Sequence, residues 1–213
     1  MPCIRLNRIN LYGFMVFFLA LSFFAGCARK EIVNINSKGK IIVCFGDSIT
    51  FGYGANKGED YPAHLAKLVG LEVINSGIDG DTSQEGLKRI DTDALDREPF
   101  LVIIEFGGND FLRKVPKEST LENISKMVDK AQAAGAMVAV VDISAGMLLG
   151  DYRAGLSKLA RTKGTIYVPS IFKGILTNPN LKSDFIHPNA QGYKVIAERV
   201  YKAILPYLKK RAQ

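Results

Sequence analysis

Residues 40–50 read Lys-Ile-Ile-Val-Cys-Phe-Gly-Asp-Ser-Ile-Thr, an apolar run that stops abruptly at a glycine, an acid and a serine. A short run of β-branched and apolar residues that ends in turn residues predicts a buried strand. The first polar side chains after this strand are Asp47 and Ser48. In parallel α/β sheets, ligands bind at the carboxyl ends of the strands, so Ser48 is a candidate nucleophile. Gly-Asp-Ser alone is more often a simple turn, and the assignment therefore needs partners for Ser48.

Four further apolar runs follow, and segments with helical periodicity separate them. The predicted strands after the first are 71–74, 100–106, 136–143 and 165–168, and the predicted helices are 61–68, 83–95, 119–134, 152–162 and 189–208. Strands that alternate with helices imply βαβ units and a mostly parallel sheet covered on both faces. We therefore expect one α/β domain, a three-layer α/β/α sandwich of flavodoxin-like type with about five strands.

Polar turns end the first three predicted strands. They are rich in Gly, Asn, Asp and Ser and occupy residues 46–50, 75–83 and 107–110. Because the carboxyl ends of parallel strands lie at one edge of a sheet, these three loops should converge there. Asp47 is interpreted as holding its turn through backbone N–H groups.

The chain has two histidines, which limits the choice of a general base. His64 lies on a predicted helix and is interpreted as an ordinary core-edge residue. His187 lies in a turn before the last helix, three residues after Asp184, so the carboxylate can hold one ring nitrogen while the other faces a hydroxyl. This is the arrangement of nucleophile, base and orienting acid used in acyl transfer. The alternative is that Asp184 is a helix cap and His187 a surface residue.

Four short motifs occur in series along the domain. They are Gly-Asp-Ser-Ile-Thr at 46–50, Asn-Ser-Gly at 75–77 with Gly-Asp-Thr at 80–82, Gly-Gly-Asn-Asp at 107–110, and Asp-Phe-Ile-His-Pro at 184–188. In order and spacing they resemble the four blocks of the SGNH, or GDSL-like, hydrolase family. The details are most similar to the branch of bacterial acyl-thioesterase/lysophospholipase and arylesterase enzymes.

The resemblance implies a role for each matching residue. Ser48 would be the nucleophile, His187 the base, and Asp184 the residue that orients the imidazole. The oxyanion hole would consist of the backbone N–H of Ser48, the backbone N–H of Gly77 and the side-chain amide of Asn109. The sequence has no cluster with metal-ligand spacing and no phosphate-binding loop, so we expect no metal and no cofactor.

Composition excludes other classes of function. The chain has 213 residues, 47% hydrophobic residues and a formal net charge of +7. Lysine and arginine are scattered through the predicted helices and gather only at 209–211, without the aromatic-interleaved basic stripe that nucleic-acid binding requires. We therefore expect no nucleic acid as a partner. The family resemblance implies a small-molecule ester as the substrate, and the oligomeric state stays open.

The N-terminus has the features of an export signal. Arg5 and Arg8 precede an uncharged apolar segment, residues 11–25, which has signal-peptide length and is short for a membrane span. The sequence Ala-Gly-Cys at 25–27 resembles the lipobox of bacterial lipoproteins, which is cut before a lipidated cysteine, although Phe24 stands where an aliphatic residue is usual. An uncleaved N-terminal anchor is the alternative.

These features divide the chain into a lipoprotein signal peptide at 1–26, a polar tether at 27–39 and a hydrolase domain at 40–213. We expect an exported protein anchored to a membrane through lipid on Cys27, in the periplasm or at the cell surface. Ala28 in place of an acid resembles an outer-membrane signal, if the cell has two membranes. Cys44 is interpreted as a small buried side chain without chemistry.

The expected activity is hydrolysis of carboxylic esters or thioesters through an acyl-serine intermediate. Short- to medium-chain acyl groups, aryl esters and lysophospholipid-like esters are the candidate substrates. Two alternatives stay open at this point: a carbohydrate O-acetylesterase, and a binding or scaffold lipoprotein of the cell envelope without activity. Residues 111–116 mix apolar and basic groups and border the acyl groove in the enzymes that the chain resembles. In the loop at 144–150, Met147, Leu148 and Leu149 could line that groove or simply cover the sheet edge.

Overall fold

The computed structural model of the protein describes residues 30–144 and 149–211. Its strands are β1 (Ile42–Gly46), β2 (Val73–Gly77), β3 (Leu101–Glu105), β4 (Met137–Val141) and β5 (Ile166–Val168). Its helices are α1 (Ser48–Phe51), α2 (Tyr61–Val69), α3 (Ser83–Asp93), α4 (Gly108–Leu112), α5 (Lys117–Ala133), α6 (Gly150–Lys163) and α7 (Ala190–Arg211). Short 3-10 turns lie at Leu95–Arg97 and Pro179–Leu181.

The five strands form one parallel sheet in the order β2-β1-β3-β4-β5. This is the flavodoxin-like order, in which the connections reverse direction between β1 and β3. Helices α2 and α7 pack on one face, and α3, α5 and α6 pack on the other. The predicted three-layer α/β/α architecture is confirmed, and the crevice at the carboxyl ends of β1 and β3 is where such folds bind ligands.

The three central strands are buried on both faces. Every residue of β1, β3 and β4 is buried, which explains why each strand reads as a continuous apolar run rather than an alternating one. Cys44 is fully buried in β1, and this burial raises the pKa of its thiol far above the ordinary value. A thiol held in this form is not a nucleophile, in agreement with its interpretation as a core residue.

The edge strand β2 lies two residues further along the chain than predicted. Apolar residues predict a strand at 71–74, whereas β2 spans Val73–Gly77 and pairs Gly77 with Gly46 of β1. Ile78 extends the ladder by donating to the carbonyl oxygen of Gly46 (3.1 Å). An edge strand is partly exposed and tolerates polar side chains, so the Asn-Ser-Gly motif belongs to the strand and the loop begins after it.

The segment predicted as a tether lies in part against the domain. The N–H of Val33 donates to Gly164 (2.9 Å), and the side-chain amide of Asn34 donates to the carbonyl oxygens of Gln132 and Ala136 (2.8 and 3.0 Å). Residues 30–39 are therefore docked rather than free, because their polar groups bond to the amino edge of the sheet. Cys27 and the predicted signal peptide at 1–26 lie outside the described residues. Within 30–144 and 149–211, no helix has the length and apolar character needed to cross a membrane.

Candidate active site

Ser48 is held at a sharp turn between β1 and α1. It is the first residue of α1, and Asp47 caps the helix by accepting a hydrogen bond from the N–H of Ile49 (3.0 Å). Asp47 is 2% exposed and Ser48 is 7% exposed. The first N–H groups of a helix have no partner within the helix, so the N–H of Ser48 is available to a ligand. Asp47 occupies the turn-holding position expected for it.

The loop before α7 brings His187 to Ser48. Nε2 of His187 lies 3.1 Å from Oγ of Ser48, and Nδ1 lies 2.7 Å from Oδ2 of Asp184. The other carboxylate oxygen of Asp184 accepts from the N–H groups of Ile186 and His187 (2.9 and 2.8 Å). One carboxylate thus fixes both the loop and the imidazole, and the predicted nucleophile, base and orienting acid form a continuous hydrogen-bonded chain.

The charge of Asp184 is stabilised by these contacts. Partial burial alone would raise the pKa of the Asp184 carboxyl, but the hydrogen bonds from the imidazole and from the two N–H groups outweigh it and hold the pKa below its usual range. An ionised carboxylate accepts the Nδ1 proton of His187, which leaves Nε2 unprotonated and able to accept the proton of the Ser48 hydroxyl.

Asn109 lines the same cavity as His187. Its Nδ2 donates to the carbonyl oxygen of Asp81 (2.9 Å), and its side chain lines the same cavity as Ser48. An asparagine amide carries two N–H donors. One of them is used to fix the orientation of the side chain, and the second is available for a ligand oxygen beside Ser48.

Gly77 does not lie where the oxyanion-hole prediction requires. Its N–H donates to Oδ1 of Asn75 (2.9 Å), and the residue lines a separate surface cleft together with Phe51 and Asp60. A Cβ at position 77 would lie 2.1 Å from the backbone nitrogen of Phe51. The glycine is therefore required for close packing of β2 against α1. The structure therefore places Gly77 in strand β2 and at a cleft separate from the cavity of Ser48, whereas the sequence pattern places it in the loop after the strand.

Arg89 on α3 forms hydrogen bonds to the carboxyl ends of both β1 and β2. Its guanidinium donates to the carbonyl oxygens of Gly46 and Ser76 (both 2.9 Å) and to the carboxylate of Asp81 (2.6 Å). It also stacks on the ring of Phe45, 4.3 Å from the centroid, and its side chain is only 14% exposed. Since the Asp81 carbonyl holds Asn109, one arginine supports both the turn before Ser48 and the loop that positions Asn109.

A buried pair of carboxyl groups lies at the floor of the cavity. Asp47 and Glu105 are 2% and 1% exposed, and both line the cavity beside Ser48. Burial raises the pKa of both groups, and the proximity of Glu105 adds to the effect on Asp47. Two carboxyl groups that share a site retain a proton. The hydroxyl of Thr50 donates a hydrogen bond to the Glu105 member of this pair (3.0 Å).

The rest of the cavity wall is apolar. Beyond the polar residues described above, it is formed by side chains from the loops after β1, β3, β4 and β5, namely Ile49, Phe111, Leu112, Ile143, Leu149, Phe172, Leu176 and Ile186. Phe111, Leu112 and Leu149 belong to the two loops expected near an acyl groove. Residues 145–148 of the second loop lie outside the described residues. The cavity therefore offers a polar end at Ser48 and an apolar surface leading away from it.

Comparison with known proteins identifies the family. The model of the GDSL-like lipase/acylhydrolase family matches residues 44–195, which is 152 of 213 residues. The matched range contains Ser48, Asn109, Asp184 and His187. The chain belongs to the GDSL-like lipase/acylhydrolase family.

Individual members of this family resemble the chain along most of its length. Esterase TesA of Pseudomonas aeruginosa is 29% identical over 195 residues, which cover 86% of this chain and 97% of that protein. Thioesterase 1/protease 1/lysophospholipase L1 of Escherichia coli is 28% identical over 173 residues, covering 78% and 83%. The crystal structure of the esterase EstA from Pseudoalteromonas sp., inhibited by monoethylphosphonate, has a TM-score of 0.72 and 26% identity, covering 80% of this chain and 99% of that one.

These relatives confirm the predicted family, its branch and its fold. The chain is a serine ester hydrolase of the GDSL-like lipase/acylhydrolase family. The alternative of a scaffold protein without activity therefore loses its basis.

Arg89 and Glu105 were missed by sequence reasoning. Arg89 lies on an amphipathic helix, where an arginine is normally a solvated residue, and nothing in the helical period shows that its partners are strand carbonyls. Glu105 offers a signal that could have been used: it is a lone acid at the carboxyl end of a buried strand, directly before the Gly-Gly-Asn-Asp motif. An acid at that position points into the crevice of a parallel sheet.

Proposed function

We propose that the protein hydrolyses carboxylic esters or thioesters of short- to medium-chain acyl groups, with Ser48 as nucleophile, His187 as general base and Asp184 as the orienting acid. The observation that carries this proposal is the 3.1 Å contact between Nε2 of His187 and Oγ of Ser48. It joins two loops that are 139 residues apart in the chain and leaves the serine hydroxyl at the floor of an accessible cavity.

The first half of the reaction forms the acyl-enzyme. Nε2 of His187 accepts the Ser48 proton as Oγ attacks the carbonyl carbon, and a C–O bond forms while the carbonyl oxygen becomes an oxyanion. The imidazolium is stabilised by Asp184, whose carboxylate is ionised. Collapse of the tetrahedral intermediate breaks the bond to the alcohol or thiol, which leaves with the proton from Nε2. A water molecule then takes the place of the leaving group and repeats the sequence to release the acid.

The oxyanion is stabilised by donors at the carboxyl ends of β1 and β3. The N–H of Ser48 and the second N–H of Asn109 are the first two donors. We infer that the N–H of Gly80 replaces the predicted Gly77 as the third. Gly80 adjoins Asp81, whose carbonyl holds Asn109, and within the described part of the chain its N–H has no acceptor, whereas that of Gly77 is bonded to Asn75. Its φ of +82° suits glycine.

The apolar wall favours a hydrocarbon acyl group over a polar one. Ile143, Phe172 and Leu176 line the cavity that contains Ser48. An acyl chain that lies against these side chains is removed from water. Each buried methylene contributes about 0.8 kcal/mol. Because each added methylene gains this binding free energy, we expect activity on acyl chains longer than acetyl, in contrast to a carbohydrate O-acetylesterase.

The test is hydrolysis of p-nitrophenyl esters from acetate to palmitate by full-length protein in detergent. Ser48→Ala should abolish turnover, and Ser119→Ala, which changes an exposed serine on α5, should leave it unchanged. We expect a maximum at butyrate to octanoate. A maximum at acetate with steep loss beyond it would instead favour the O-acetylesterase, and full activity of Ser48→Ala would refute the mechanism. Acyl-coenzyme A substrates of matching length measure the preference between esters and thioesters.

We propose further that the protein is exported and anchored to a membrane through lipid on Cys27. The support is the sequence of the leader: a basic start, an apolar segment and Ala-Gly-Cys at 25–27. Intact mass after detergent partition should show a diacylglyceryl-type modification on Cys27 and no residues before it. Cys27→Ser should yield an unmodified product. A wild-type protein that stays in the aqueous phase at its unmodified mass would contradict the anchor.

A further inference from the structure

The ring of Tyr53 covers one face of the His187 imidazole. The ring centroids are 4.4 Å apart and the planes are inclined by 39°, close to the lower limit of distance for attractive aromatic pairs. Tyr53 is 45% exposed, so its ring separates the imidazole from solvent on that side. Building on the proposed role of His187 as base, we propose that Tyr53 is a positioning residue that holds the imidazole plane and stabilises its protonated form.

The backbone of Tyr53 is fixed from both sides. Its N–H donates to the carbonyl oxygen of Ser48 (3.0 Å), and its own carbonyl oxygen accepts from the hydroxyl of Tyr193 (2.7 Å). Tyr193 is fully buried in α7, six residues after His187. The position of the Tyr53 ring is therefore set by the nucleophile segment and by the helix that follows the base, rather than by the ring contact itself.

Two glycines allow this segment to approach the base loop. Gly52 and Gly54 have φ values of +95° and +85°, which favour glycine. A Cβ at Gly54 would clash with the side chain of Ser183, whose N–H donates to the carbonyl oxygen of His187 (2.9 Å). The turn that carries Tyr53 thus packs against the loop that carries the catalytic base, and it connects two parts of the triad that are far apart in sequence.

The ring acts on the charged form of the imidazole. When His187 accepts the serine proton it becomes a cation, and the negative face of an aromatic ring attracts a cation at this distance. The other titratable groups near the imidazole are Asp184 on its own loop, and Asp47 and Glu105 on the cavity floor. The variants below leave these three unchanged.

The kinetic test compares Tyr53→Phe, which keeps the ring, with Tyr53→Leu, which removes it. With p-nitrophenyl butyrate, Tyr53→Phe should stay within about twofold of wild type, whereas Tyr53→Leu should lose about tenfold in kcat with little change in KM, because a misoriented base affects the chemical step. The acid limb of the kcat/KM profile of Tyr53→Leu should move to lower pH, because the ring no longer stabilises the imidazolium. Equal damage in both variants would assign the effect to the hydroxyl and overturn the proposal.

An NMR titration tests the same contact without relying on activity. The chain has two histidines, so untagged protein carrying His64→Gln has one imidazole signal, that of His187. In this background Tyr53→Leu should lower the titration midpoint relative to the protein that retains Tyr53, and Tyr53→Trp should preserve it. An unchanged midpoint in a folded Tyr53→Leu protein would refute the proposal. Failure of the proposed mechanism would give a different result, namely full turnover by Ser48→Ala or His187→Ala.

Discussion

The guanidinium of Arg89 donates to the carbonyl oxygen of Gly46, 2.9 Å away and two residues before the nucleophile. Arg89→Met should therefore lower the free energy of unfolding by about 2–4 kcal/mol, because it leaves two strand carbonyls and the carboxylate of Asp81 without their partner in a mostly buried site. Chemical denaturation measures the loss. Lys88→Met, an exposed neighbour on the same helix, removes the same charge and should cost less than about 0.5 kcal/mol. Similar values for the two variants would contradict the role of Arg89.

Asn109→Ala should reduce kcat by about 100- to 1000-fold with little change in KM, because a lost oxyanion donor acts mainly in the transition state. Steady-state kinetics on p-nitrophenyl butyrate measure both constants. The matched control is Asn75→Ala, which changes an asparagine of β2 that lies at the separate cleft lined by Gly77. It should retain kcat within about threefold. A larger loss of kcat in the control would indicate that Gly77 and its surroundings belong to the active site.

Asp47→Asn should flatten the dependence of stability on pH. Burial raises the pKa of Asp47 well above the value of about 3.9 expected in the unfolded chain. Between these two values the native state binds more protons than the unfolded state, so native stability falls as the pH rises. An asparagine keeps the oxygen that accepts from Ile49 and an N–H donor toward Glu105, and it does not ionise.

Urea denaturation at pH 5 and pH 8 measures this effect. The wild type should be less stable at pH 8 than at pH 5, and the difference should shrink in Asp47→Asn. Asp79→Asn, which changes an exposed acid in the loop after β2, serves as the control and should keep the wild-type difference. The same slope in Asp47→Asn as in the wild type would show that Asp47 is ionised in the native state throughout this range.

Phe172→Ala should extend the range of acyl chains that the enzyme accepts. The side chain is 8% exposed and lines the apolar wall of the cavity, so its removal opens space along the path of the acyl group. The maximum on the p-nitrophenyl ester series should move toward longer chains by about two to four carbons, at a stability cost of about 3–5 kcal/mol. Phe185→Ala, which removes an 89% exposed ring outside the cavity wall, should leave the maximum in place.

The sequence predicts correctly those elements that are marked by continuous apolar runs or by the spacing of motifs. The strands β1, β3 and β4 lie within the predicted runs to one or two residues, because strands buried on both faces are apolar throughout. It failed at β2, where an edge position permits Asn75 and Ser76 within the strand. That shift of two residues also misplaced Gly77. A residue pattern gives no information on which backbone N–H is already bonded, so this error could only be found from the hydrogen bonds themselves.

The proximity of the three proposed triad residues was predictable because few residues in the chain compete for these roles. With two histidines in the chain, the choice of His187 follows from its turn and from its sequence distance to Asp184, and the structure places His187 beside Ser48 and Asp184 beside His187. Arg89 was not predictable, since its partners are carbonyl oxygens that have no sequence signature. Tyr53 was not predictable either, because its contact with His187 depends on how two distant loops pack.

If the protein carries the proposed lipid on Cys27, the docked segment at residues 30–39 sets which way the enzyme faces. Lys30 and Val33 bond to the chain at Arg161 and Gly164, at the edge of the sheet opposite the catalytic loops. Only three peptide units separate Cys27 from Lys30, a reach of at most about 11 Å. With lipid on Cys27, the amino edge of the sheet rests near the bilayer and the cavity opens on the far side. In that orientation we expect the enzyme to take its esters from the surrounding water or from an opposing surface rather than from its own leaflet.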